Sequence, residues 1–174
     1  MLSYHNDIEV KKKYVERFAK HREMDQVIQG LGYDSASSRG CFVGCTLENY
    51  DHSRFPVELG WPQWLAHLAD KIFEGLPKDE APQFGTDLLD AVPVGVDLES
   101  VCHILAIKRI DRLIELQNDC NIEGVLSSLK LVRVCHEAEL GKNTCDWSAA
   151  RSAAESAARS AANMAAGMLM GYAS

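Results

Sequence analysis

The chain has 174 residues, 47% apolar and 25% charged, with a net charge of −7 at neutral pH. That mix excludes bulk disorder and leaves enough chain for one domain with a real core. No apolar run approaches the ~20 residues a membrane helix needs. The start, MLSYHNDIEVKKKY, lacks the apolar stretch of a signal peptide. The expectation is a cytoplasmic protein whose six cysteines are thiols, not a disulfide framework.

The acidity is uneven: residues 61–120 hold eleven acidic and five basic groups, and it peaks from Asp70 to Glu99. Such a balance argues against direct nucleic-acid binding, which needs clustered Lys and Arg. Asp70, Glu74, Asp79, Glu80, Asp87 and Asp90 are therefore expected either to form a solvated face or to meet a partner with a basic surface.

In chain order, the first helix is expected from Asp7 to about Gln29, capped by Asn6, with Ile8, Tyr14, Val15 and Phe18 on its apolar stripe. Gly30, Gly32 and a Ser-rich loop break it. Cys41 to Tyr50 reads equally as a short helix or a strand. A helix then begins near Pro62, carries Trp64, Leu65, Leu68, Ile72 and Phe73 at helical spacing, and stops at Gly75 and Pro77. A short helix is expected around Asp87 to Val92. Asp97 looks like the cap of a long helix, LESVCHILAIKRIDRLIELQND, and another ends at Gly141. From Ser148 a tetrapeptide repeat, SAAR-SAAE-SAAR-SAAN, gives an Ala/Ser-rich helix over 148–170. Its small residues allow close approach, either to the rest of the chain or to a second copy as a homodimer. Met164, Met168 and Met170 would add an apolar patch at its end. The fold class is mainly α: a single-domain bundle of five or six helices over 1–174, with room for one small hairpin. No GxGxxG, P-loop, GxSxG or HExxH motif is present.

RGCFVGCTLENYDHSRFPVELGWP, from Arg39 to Pro62, is the stretch richest in chemistry-bearing residues. The i, i+4 spacing puts Cys41 and Cys45 on one side of either a helix or a strand. Three readings follow. Both cysteines are buried small hydrophobes. Alternatively, one is a nucleophile with His52 as base, Asp51 or Asp70 as orienting group, and Gly40 and Gly44 leaving room for an oxyanion. Adjacent Asp51 and His52 point apart, which weakens the Asp51 version. The third is a zinc site from Cys41, Cys45, His52 and His67. Further on, the Cys102-His103 and Cys135-His136 pairs sit on two long helices. Each helix can turn at most one Cys and one His inward, so core cysteines and rim histidines are the default. Trp61, Trp64 and Trp147 read as core anchors.

GCFVGC, LGWP, IFEGLP, VPVGVDL and the Ala/Ser-rich tail together resemble a family of small proteins spread through bacteriophage, prophage and bacterial genomes. The resemblance spans most of the chain and brings neither an activity nor catalytic residues. Phe42 stands where that family has a small residue, and the tail is short. What the resemblance implies is context: a small protein from a mobile element that binds host machinery. The preferred reading is thus an interaction protein without cofactor, a counter-defence inhibitor of a nucleic-acid-binding complex in its most specific form. A cysteine- or metal-dependent enzyme centred on Cys41, Cys45 and His52 is the alternative.

Overall fold

A computed structural model describes the backbone of residues 1–120 and 124–171 and the side chains of 1–117 and 124–162. Asp7 starts the first helix, α1 (Ile8–Glu23), by accepting the Glu9 amide at 2.8 Å. Asn6, the expected cap, instead takes a left-handed φ of 59°. The helix also ends earlier than its apolar pattern suggests. Asp25 is left-handed at φ 53° and the chain turns back on itself. Gly40 then donates to the Gln26 carbonyl and accepts from Ile28, so Val27 and Ile28 serve a strand-like bridge.

The hairpin has two-residue strands, β1 (Tyr33–Asp34) and β2 (Arg39–Gly40), with Tyr33 opposite Gly40. It feeds α2 (Phe42–Leu47), in which every residue is buried. Two glycines make that seating possible. A Cβ on Gly44 would lie 2.0 Å from the Gly32 carbonyl oxygen, and one on Gly40 would lie 2.6 Å from the same atom. Helices α3 (Phe55–Leu59), α4 (Gln63–Gly75) and α5 (Ala81–Ala91) complete this part of the chain. α5 is longer and earlier than expected, with Pro82 in its first turn, where a missing amide costs nothing.

Phe42 sits at the middle of the core, its ring 5.7 Å from Phe18, 6.1 Å from Phe55 and 6.4 Å from Phe84. Trp61 is fully buried against Phe55 and Tyr4. Trp64 and Trp147 are only half-buried. The N-terminus closes the same core. Ser3 exchanges backbone hydrogen bonds with Val96 and Gly95, and its hydroxyl donates to Pro93 O. The buried Tyr4 hydroxyl donates to Leu89 O. Tyr4, His5 and Asn6 are all left-handed, a backbone state that costs non-glycine residues energy and persists only where the surroundings over-determine it.

The chain divides into two compact units, Met1–Glu99 and Ser100–Ser174, where the sequence suggested one domain. The second contains α6 (Glu99–Cys120), α7 (Val125–Leu140) and α8 (Trp147–Gly171). Asp97 receives the Glu99 amide at the start of α6, and Gly141 ends α7. α8 lies along α7, with Ala150 and Ala157 buried and the Ser128 hydroxyl donating to Ala153 O. The expected patch at Met164, Met168 and Met170 falls outside the described side chains. Cys135 and Cys145 form a disulfide, which corrects the thiol-only expectation. Sequence spacing alone could not pair them, because six cysteines allow many connectivities.

Two outcomes follow. Gly44→Ala should lower unfolding free energy by at least about 2 kcal/mol, since rigid backbone must shift. Gly75→Ala, facing open space, should be neutral or stabilising by up to about 1 kcal/mol; denaturant titration separates the two. Non-reducing peptide mapping should recover a Cys135–Cys145 cross-link. The ten-residue separation makes that bond worth about 3 kcal/mol through loop entropy. A map with both residues alkylated would remove it.

Candidate functional site

The start of α2 faces the middle of α4, and polar groups converge there. Cys41 precedes α2 with extended backbone, φ −72° and ψ −171°. Its thiol is 1% exposed and faces the Asp70 carboxylate. Asp70, on α4, is 8% exposed. Its Oδ2 is 3.1 Å from His52 Nε2 and accepts from the Tyr50 hydroxyl at 3.3 Å. Its Oδ1 is buried with no hydrogen-bond partner of ordinary geometry. Glu74, one turn further along α4, accepts the Gly30 amide at 2.7 Å and is exposed. One ligating atom from each of Cys41, Asp70 and Glu74 lies within 4.8 Å of the others. His67 stacks on His52 with ring centres 4.1 Å apart.

This arrangement changes the assignments read from sequence. Asp51 does not orient His52. It accepts from the Ser53 amide and hydroxyl, and that hydroxyl, then the amide, holds its carboxyl below the usual range. Asp70 takes the orienting place from eighteen residues away. With an acceptor-only carboxylate opposite, His52 Nε2 is the protonated nitrogen. Cys45 leaves the group altogether, its thiol directed at the carbonyls of Gly40 and Gln26. The i, i+4 rule fails because Cys41 lies outside the helix that contains Cys45. So the four-residue set of Cys41, Cys45, His52 and His67 is not assembled. Gly40 and Gly44 serve close packing and not an oxyanion, since the Gly40 amide is already given to Gln26 O.

Burial pushes the Cys41 thiol up to about 12, with the Asp70 charge adding to it and the Gly44 and Val43 amides opposing. Burial likewise pushes Cys45 up to about 12. Tyr50 is also raised, first by burial and then by Asp70, and so keeps its proton to donate. Neither cysteine nor His52 lines the surface grooves along α1 or beside Val27 and Phe73.

The expected acidic face is also revised. Asp70 is not on it. Lys11 lies 3.8 Å from Asp90, Arg22 bonds Gln83 and Thr86 on α5, and Gln83 donates to Asp87. Asp79, Glu80 and Asp87 remain exposed, so this side carries both signs of charge. In the second unit, the two Cys-His pairs do not form a four-ligand site. His103 Nδ1 is 3.0 Å from His136 Nδ1, while Cys135 is spent in the disulfide. His136 is pulled below its usual value, mainly by burial and then by His103. Cys102 is half-buried.

Sequence reasoning sets Asp70 beside Cys41 and His52 as one of two orienting groups but does not group Tyr50 or Glu74 with them. The i, i+4 spacing of Asp70 and Glu74 on a well-formed helix was the available signal. No helix among the described residues is long and apolar enough to cross a membrane. No family model, curated protein or solved structure matches the chain.

The raised thiols have a direct consequence. A thiol with pKa near 12 is almost wholly protonated at pH 8, and only the thiolate attacks. Iodoacetamide at pH 8 should leave Cys41 and Cys45 unmodified in the folded protein and modify both in denaturant, read by peptide mass. Rapid native labelling of either would contradict their burial.

Proposed function

We propose that the chain acts by binding another protein and that Ser100–Ser174 carries the contact face. One imbalance supports this. Among the described residues of that unit, the buried apolar side chains are Ile110, Cys135, Ala150 and Ala157. The same unit leaves Ile104, Leu105, Leu113, Leu116, Leu131 and Val134 between 37% and 53% exposed. On α6, Leu105, Leu113 and Leu116 fall within an arc of about 80°, with buried Ile110 about 60° beyond Leu113. Large apolar side chains grouped on one surface mark contact sites in proteins that otherwise keep such groups inside.

The motif resemblance supplies the setting: a phage or mobile-element protein that occupies a host protein, in its specific form a counter-defence inhibitor of a nucleic-acid-binding complex. Exposed Asp79, Glu80 and Asp87 would add long-range attraction toward a basic partner surface. The reading places the chain in the cytoplasm, where the Cys135–Cys145 pair stands in exchange with cellular thiols. The cysteine-enzyme alternative has less support, because His52 is turned to Asp70 and both thiols are buried.

A photo-crosslinking residue at Leu113 should capture a second protein in cells, and Leu105→Lys with Leu116→Lys should abolish capture while far-UV dichroism and the melting midpoint stay unchanged. Capture of another copy alone would replace this reading with a homo-oligomer. Capture at Asp87 but not at Leu113 would return the contact to the acidic stretch.

A further inference from the structure

The Cys41 cluster lies in Met1–Glu99 and is independent of the binding face proposed above. Its composition is unusual for a structural corner. Asp70 is buried, its side chain 11% exposed, and its Oδ1 has no hydrogen-bond partner of ordinary geometry although the Cys41 thiol faces the carboxylate. Buried polar atoms left unsatisfied are rare, and each one calls for a physical cause such as an ion. Among the described residues no lysine or arginine pairs with Asp70; its ring neighbour is His52. Beside it sit a second carboxylate and a thiol, three anionic ligands once the thiol loses its proton. A divalent cation would neutralise all three.

We propose that Cys41 Sγ, one carboxylate oxygen of Asp70 and one of Glu74 form a binding site for a divalent transition-metal ion of the zinc class. The sulfur ligand selects against magnesium and calcium, which take oxygen alone. Zinc bonds of about 2.3 Å to sulfur and about 2.0 Å to oxygen imply ligand separations of roughly 3.3–3.7 Å in a tetrahedron. The present spread of up to 4.8 Å must therefore tighten by about 1 Å. Glu74 is exposed and can supply that movement by exchanging its bond to the Gly30 amide for the metal. His52 and Tyr50 then act as positioning residues. They hold Asp70 Oδ2, which fixes the carboxylate and directs Oδ1 to the ion. Three protein ligands leave a fourth position for water or for a group from a partner. Metal entry displaces the Cys41 thiol proton to solvent, so one proton leaves per ion bound.

Cobalt(II) titrated into the untagged full chain with its Cys135–Cys145 disulfide intact tests this, because a thiolate ligand gives a charge-transfer band in the near ultraviolet. One cobalt per chain with that band, displaced by zinc, is the expected result. Cys41→Ser should remove the band. Glu74→Gln, at an exposed position that tolerates the change, should weaken binding at least about 10-fold, and His52→Gln should weaken it about 10–100-fold with the band retained. Cys45→Ser and Asp51→Asn should leave both affinity and band unchanged. Binding without the band, a band that survives Cys41→Ser, or no heat of zinc binding at millimolar metal would each overturn the proposal. If Cys41→Ser does not fold, an unchanged affinity in Glu74→Gln overturns it just as well.

Discussion

The approach of α2 to the Gly32 carbonyl governs the first unit. Only a residue without a Cβ fits at Gly44, and Gly40 faces the same oxygen. The contact presses α2 inward until all six of its residues are buried. Phe42 thereby reaches Phe18, Phe55 and Phe84, and Cys41, just before the helix, is left facing α4. Core and polar cluster are thus two results of one close backbone contact. The size of Phe42, an oddity beside the resembling family, makes sense here: it fills the core and does not obstruct a channel.

Much of the fold was legible because helix signals are local. Asp97, Gly141 and the alanine repeat marked their elements through capping chemistry and propensity. The failures came where a distant partner overrode a local pattern. Val27 and Ile28 continue a helical stripe, but Gly40 recruits them as a bridge. Asn6 is a good cap by type, yet the N-terminal clamp holds it left-handed and Asp7 takes over. The candidate site was legible by residue type and not by grouping. Cys41 and His52 were singled out; Asp70 had been weighed both as an orienting group and as a surface charge. Whether an aspartate on an amphipathic helix faces water or a histidine depends on what packs against that helix, which no local window contains.

The two units use different physics. Met1–Glu99 is held by stacked aromatic rings and fully buried side chains. Ser100–Ser174 has small residues, ion pairs such as Arg133 with Asp111 and Glu137, and a disulfide from α7 to the connection that precedes α8. Cross-links of that kind are typical where a core is too thin to hold helices together. Under the proposed binding function, the densely packed unit supplies stability and the thinly cored one supplies the contact.

The N-terminal clamp has a consequence for synthesis. Tyr4 and Ser3 find their partners at Leu89, Pro93, Val96 and Gly95, some eighty-five to ninety-three residues downstream. Until those residues leave the ribosome, the first segment has nothing to bond to, and the left-handed turn has nothing to over-determine it. The clamp therefore closes only after those residues have emerged, and the leading end of the first unit is among the last of its parts to be fixed.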